Sequence, residues 1–191
     1  MAASPQTRSV ALESSTEPRP TAPAFRALFE GEFSYVIHAL VRLGVRRPDL
    51  EDLTHEVFVT VHRVLPDYDT RRPLRPWLFG IALRIASDYR RRARHTREVQ
   101  QEPLHDAVDG APLADDQLAA EQARRLVVEA LAALELDRRA VLVLHDIDGQ
   151  SMPEIAHALA IPLNTGYSRL RLGREQFKAA VKRIQLRRGE S

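Results

Sequence analysis

Residues 151–174 leave the backbone few choices. Ser151 followed by Glu154 is a capping box, which starts a helix, and Pro153 falls in the first turn, where its missing N–H costs nothing. Ile155, Ala156 and Leu159 then form a short apolar face. Pro162 pushes Ile161 out of helical geometry and ends this helix. Asn164 or Thr165 can cap a second helix, which carries Ser168, Arg169, Arg171 and Arg174. Two short helices around a tight break, the second one basic, describe a helix-turn-helix whose second helix enters a DNA major groove. They equally describe an αα-hairpin that only packs a core, so the motif bounds the fold before it decides the function.

The rest of the chain agrees with a helical fold. Ala, Leu, Arg and Glu dominate, Gly is scarce, and no long run alternates like a strand, so the 191 residues are expected to be all-α. The absence of cysteine excludes a disulfide framework and a thiolate metal site. No segment has the apolar core of a signal peptide or the length of a membrane span, which predicts a cytoplasmic protein with no membrane insertion.

The net charge of +2 hides a strong segregation. Lysine occurs only at Lys178 and Lys182, and since arginine content also follows coding bias, position is the evidence. Arg84, Arg90, Arg91, Arg92, Arg94 and Arg97 crowd one segment. Arg169, Arg171, Arg174, Lys178, Lys182, Arg183, Arg187 and Arg188 crowd another. Between them, residues 98–121 hold seven acids and no Lys or Arg. Two basic blocks flanking an acidic spacer suggest two contacts on one polyanion, joined by a tether that avoids sticking to it.

Apolar spacing divides the chain further. Residues 1–24, rich in Pro, Ser, Thr and Ala, are expected to be a disordered N-terminal tail. Phe25, Leu28, Phe29, Phe33, Val36, Ile37 and Leu40 recur at helical spacing until Gly44 stops the helix. A second helix over 48–65 turns Leu50, Leu53, Val57, Phe58, Val61, Val64 and Leu65 inward. A loop with three prolines spans 66–76, and a third helix over 77–94 buries Leu78, Ile81, Ala82, Ile85 and Tyr89. Helices over 117–134 and 137–147 join the helix-turn-helix in a second bundle. Two small helical domains, 25–97 and 117–186, joined by a flexible acidic linker over 98–116 and followed by a C-terminal tail over 187–191, are therefore expected.

The residues also carry a family resemblance. The run from Asp49 through Glu56 to Phe58, then Trp77-Leu-Phe-Gly-Ile-Ala82, then Asp88-Tyr-Arg-Arg-Arg92, resembles region 2 of bacterial sigma factors. Leu131 to Leu134, Arg139 to Leu144, Asp146 to Gly149 and Ser151 to Ala156 resemble region 4. With no domain between them, the chain is similar to the compact extracytoplasmic-function (ECF) group over about residues 25–184, in the family's order.

The resemblance implies a factor that binds core RNA polymerase and directs promoter-specific initiation by recognising −10 and −35 elements, with no catalytic residues and no cofactor. It implies that the second helix docks on the polymerase clamp, where Asp49, Asp52, Glu56 and Arg63 line one polar stripe. It implies that the loop and the start of the third helix open and read the −10 region. Melted bases need aromatic platforms and the separated strand needs cations. Tyr68, Trp77 and Phe79 supply the first, although Trp77 also suits a core position; Arg71, Arg72, Arg75, Arg84 and Arg91 supply the second. Arg84 stands where the family usually has Asn.

The last helix corresponds to the −35 reader, with Asn164, Thr165, Tyr167, Ser168, Arg169, Arg171 and Arg174 as candidate contacts. The family typically shows Gly-Thr-Val-Arg-Ser-Arg where this chain has Asn164-Thr-Gly-Tyr-Ser-Arg169. Gly166 is expected to loosen the helix by up to about 1 kcal/mol relative to Ala. Tyr167 replaces a cation with a phenol that can pack on sugar or a thymine methyl. The acidic connector, in the family, threads polymerase channels near the template strand. Many members are held by an anti-sigma factor, and no segment of this chain identifies one.

Two competing readings remain. Asp52 with His55 has the i, i+3 spacing of carboxylate–histidine metal pairs in bundles, but no second pair accompanies it, and His145-Asp146 stands alone. A helix-turn-helix regulator that never engages polymerase explains the second bundle and leaves the first without a purpose.

Overall fold

The structure, a computed structural model, describes residues 22–99 and 115–189, with side chains over 25–93 and 120–189. Most of the expected N-terminal tail and of the acidic linker lies outside the described residues, and residues 22–24 of that tail belong to the first helix. Among the described residues, seven α-helices follow in order: α1 (Ala22–Leu43), α2 (Leu50–Val64), α3 (Leu74–Val99), α4 (Asp115–Ala132), α5 (Leu136–Leu142), α6 (Met152–Ala158) and α7 (Leu163–Arg188). Single 3-10 turns flank α2, and a π-helical turn, Val143–Ile147, continues α5. No strand occurs among the described residues.

Helix ends follow from local chemistry. Gly44, at φ +90°, closes α1 in a Schellman motif, with Val45 N–H donating to Leu40 O and Gly44 N–H to Val41 O, each at 3.0 Å. The same motif closes α6 at Ala160, where Ile161 N–H donates to Ala156 O and Ala160 N–H to His157 O. Ala160 therefore takes φ +52°, a left-handed conformation that costs a residue with a Cβ roughly 1–2 kcal/mol. The capping box forms as the sequence predicts. Glu154 Oε2 accepts from Ser151 N–H and Oγ, and this holds the Glu154 carboxyl below its ordinary range. The expected cap on the second helix differs: Pro162, in extended geometry, is the N-cap of α7, and Asn164 and Thr165 fall inside the first turn. A proline with ψ 143° already turns the chain into the helix, so no side-chain cap is made.

Helices α1–α3 form one bundle and α4–α7 the other. The two are packed together: α1 meets α4 and α5, and α3 meets α6. One continuous core runs through both, from Val36, Leu40, Phe58 and Phe79 to Leu131, Val141, Leu144 and Ile155. A smaller cluster of Ala130, Ala180 and Ile184 holds α4 to the distal part of α7. Arg139 is fully buried in this core; its guanidinium donates to Ala132 O, Leu134 O and Leu43 O at 2.8–2.9 Å. Burial, with Arg90 alongside, pushes its pKa down to about 10, so it stays a cation at neutral pH.

Candidate nucleic-acid interface

The α2 stripe divides. Asp52, Glu56 and Arg63 are exposed on one face, and Val59, 54% exposed, sits between them on the same row, at i+7 from Asp52 and four residues before Arg63. Asp49 is less exposed than these three. It is half-buried and accepts from Tyr89 Oη at 2.7 Å and from Arg46 Nε at 3.1 Å, so it ties α2 to α3. Val59 escaped the sequence reading because an exposed valine on a helix carries no chemical signal of its own.

Tyr68, in the loop before α3, packs its ring against that of Trp77, in the first turn of α3, at 4.5 Å between centroids, and both are half-buried. The Tyr68 hydroxyl donates to Arg72 O, so the ring braces the loop. Burial raises its pKa, with the Asp69 charge adding to the effect. Asp69 carries no role in the sequence reading, yet it organises the cations here. It accepts from Arg71 through Nε and Nη2 and from Arg72 Nε, and the Arg71 bonds hold its carboxyl far below the usual range. Arg75 lies over the Tyr35 ring at 5.1 Å and pairs with Glu32 at 3.0 Å. Trp77, Arg84 and Arg91 recur every seven residues, close to two helical turns, so they share one side of α3. Arg84 Nε donates to Gly80 O, and Arg91 pairs with Asp88.

Phe79 corrects the expected set of platforms. It is completely buried in the core and cannot reach a base. Two positions separate it from Trp77, about 200° around the helix, so one ring faces the loop and the other the interior.

On α7, every predicted reader lies on the solvent side, but they divide between two faces. Tyr167, 53% exposed, lines an outward groove with Arg171, Arg174 and Lys178. Asn164, Thr165, Ser168 and Arg169 line a cleft whose far wall is Ser87, Arg90 and Arg91 of α3. The arginines are held by acids: Arg169 by Asp137, Arg171 by Glu175, and Arg174 through Nε and Nη2 by Asp146. The Arg174 bonds lower the Asp146 pKa.

Gly166 changes its meaning in the structure. A Cβ there would lie 2.5 Å from Met152 Sδ, and Gly166 is buried. The glycine lets α6 and α7 approach, with Met152, 3% exposed, filling the space a side chain would take. Its helix-loosening effect is offset by packing.

No group of three or more His, Asp or Glu suited to a metal ion occurs among the described residues.

Comparison with known proteins accounts for both bundles. A Sigma-70 region 2 model matches residues 28–96, and a Sigma-70 region 4 model matches residues 124–177. The RNA polymerase sigma factor CnrH of Cupriavidus metallidurans is 33% identical over 72% of this chain and 76% of its own length. The chain belongs to the ECF sigma factors. The sigma factor NccH of Alcaligenes xylosoxydans is 27% identical over 85% of this chain and 89% of its own. The solved structure of CnrH with the cytosolic domain of CnrY matches with a TM-score of 0.60 at 26% identity, covering 85% of this chain and 90% of that one. The sigma factor RpoE of Bartonella quintana, solved with the anti-sigma factor NepR, shares the fold with a TM-score of 0.65 at 20% identity, over 83% and 96% of the two chains.

As a sigma factor, this protein binds core RNA polymerase and directs initiation at promoters. Its α1–α3 bundle is region 2 and its α6–α7 pair is the helix-turn-helix of region 4. The region 2 match accounts for the bundle that a regulator acting without polymerase leaves unexplained. No helix among the described residues is long and apolar enough to cross a membrane.

Proposed function

We propose that this sigma factor distributes its work over three surfaces: α2 for the polymerase clamp, the Tyr68–Trp77 loop with α3 for the −10 element, and α7 for the −35 element. The carrying observation is the exposed row of Tyr167, Arg171, Arg174 and Lys178 on the second helix of the helix-turn-helix. A helix carrying cations and a phenol along one solvent face fits a major groove, where arginine reads guanine and an aromatic ring packs on thymine methyl. In region 2 the Tyr68–Trp77 pair with Arg71 and Arg72 beside it fits a displaced single strand, which needs stacking surface and backbone neutralisation together. The protein acts in the cytoplasm, without catalytic residues or cofactor of its own. An anti-sigma protein holds it in reserve, by analogy with the solved RpoE, which carries the anti-sigma factor NepR.

On α2, the clamp contact consists of Asp52, Glu56, Val59 and Arg63, with Asp49 serving the bundle rather than the partner. Reversing Asp52 and Glu56 to Lys removes the acidic stripe and leaves the buried residues untouched. Core polymerase retention on the immobilised variant should fall at least tenfold, with helical content by circular dichroism unchanged. Full retention by a folded variant would take the stripe out of the interface.

A further inference from the structure

Two arginines of the outward row on α7 are held in different ways. Arg171 Nη1 donates to Glu175 Oε1 at 2.8 Å, one turn along the same helix, and both side chains are exposed. Arg174 is held from another element. Its Nε donates to Asp146 Oδ2 at 2.8 Å and its Nη2 to Asp146 Oδ1 at 2.6 Å, and both partners are less exposed than the Arg171 pair. Asp146 lies in the π-helical turn that continues α5, a rare kind of turn that concentrates at functional sites. The carboxylate is itself braced. Asp146 Oδ1 also accepts from His145 Nδ1 at 2.7 Å, and because a carboxylate only accepts, that nitrogen carries the proton. His145-Asp146, isolated in the sequence, is thus one end of a three-residue chain that terminates on the reading helix. Gly173, buried just before Arg174, lets α5 lie close enough for this: a Cβ there would sit 3.2 Å from Arg138 O.

A guanidinium carries its donors in a rigid planar fork. The two Asp146 bonds use the Nε–Nη2 side of that fork, so they fix its plane and the direction of the end that carries Nη1. Arg174 stands three residues after Arg171 and seven after Tyr167, and it lines the same outward groove as both. Arginine reads guanine by two parallel bonds to O6 and N7. An arginine whose fork is already fixed gives up less rotamer freedom in making them.

We propose that Asp146 is a positioning residue for promoter readout: from outside the reading helix it fixes the Arg174 guanidinium so that its Nη1–Nη2 end meets a guanine of the −35 element, and His145 in turn fixes Asp146. The proposal rests on the assignment of α7 to the −35 element given above. Arg174 then specifies a base only while Asp146 holds it. Without that carboxylate the face gains positive charge, and its discrimination at one base pair is lost.

The test compares base preferences of the holoenzyme carrying the full chain or a variant, read by sequencing the templates it transcribes from a library randomised over the −35 region. Asp146→Asn keeps the shape of the partner and loses its charge. Arg174→Lys keeps the charge and loses the fork. Each should relax a guanine preference at one and the same position of the −35 block by about tenfold. The other positions of that block and the whole −10 block should stay as in the parent. The double variant should be no less selective than either single one, as expected for residues that act as a unit. Thermal melting checks each fold, and Arg174→Lys, confined to an exposed side chain, decides the matter if the Asp146 variant melts early. Parent-like preference at every position in a folded variant overturns the proposal. So does an Asp146→Asn effect spread evenly over all templates, which is what the mere loss of a negative charge near DNA would give. A parent holoenzyme with no −35 block at all would instead remove the assignment of α7 beneath the proposal.

Discussion

Regions 2 and 4 put the same kind of charge to different uses. In region 2 the cations stand on a loop and on the solvent face of α3, beside the packed rings of Tyr68 and Trp77. In region 4 they project from one continuous helix with no ring pair nearby, and Tyr167 stands alone among them. A loop can follow a flexible strand, whereas a helix imposes fixed spacing that matches a duplex groove. Yet both regions hold their arginines with carboxylates: Asp69 for Arg71 and Arg72, and Asp137, Asp146 and Glu175 for Arg169, Arg174 and Arg171. These exposed pairs add little stability. Their effect is to fix the direction in which each guanidinium points.

The comparison can be broken most forcefully at Arg139. Replacing it with Ala takes the Arg139 donor from Ala132 O and Leu134 O in region 4 and leaves Leu43 O in region 2 with only the longer bond from Arg90 Nη1, at 3.5 Å. At about 1–3 kcal/mol for each group that water does not reach, the loss should be about 3 kcal/mol or more, read from the urea midpoint. Hydrogen exchange should show α4 and α5 losing more protection than α2. Equal losses in both regions would mean that Arg139 serves the junction more than the α4–α5 corner.

The ring pair is next. Changing Tyr68 and Trp77 together to Ala should lower open-complex formation by about tenfold to a hundredfold, from stacking of about 1–3 kcal/mol per base. Binding to a duplex carrying only the −35 element should be unchanged. Permanganate reactivity of thymines near −10 reports the first and gel shift the second. Normal melting by the folded double variant would return both rings to a purely structural role.

A smaller effect separates the packing of α7 from its readout. Gly166→Val should destabilise region 4 by about 1–3 kcal/mol, because its side chain meets Met152 in a filled site. Adding Met152→Ala should recover most of that loss in thermal melts, a non-additive pair of the kind expected for residues in contact. If the two changes simply add, the glycine has another reason.

How much of this was legible in the sequence varies along the chain. The capping box at Ser151 and Glu154 and the glycine stop at Gly44 could be read because each is a local rule, satisfied within four or five residues. Phe79 was misread beside Trp77 because base platforms and core rings have the same composition, and only helical phase, set by a start at Leu74, tells them apart. Gly166 was read as a weakness because its partner Met152 lies fourteen positions earlier, on another helix. Asp49 looked like part of an acidic surface until its partner Tyr89, forty positions away, was in place. The junction between the regions left no trace in the pattern at all. Residues such as Leu40, Leu131 and Leu144 serve a bundle interior and a bundle interface with the same apolar side chain.

The division of promoter reading between the two regions is tested most directly by transcription from a library randomised upstream of the start site, using core polymerase and this chain, with the transcribed templates sequenced. The account predicts two enriched blocks, at −10 and −35, that require both proteins. Arg171→Ala should relax particular positions of the −35 block by about 1–3 kcal/mol and leave the −10 block as in the parent. A single block, or an Arg171→Ala loss spread evenly over both, would contradict it.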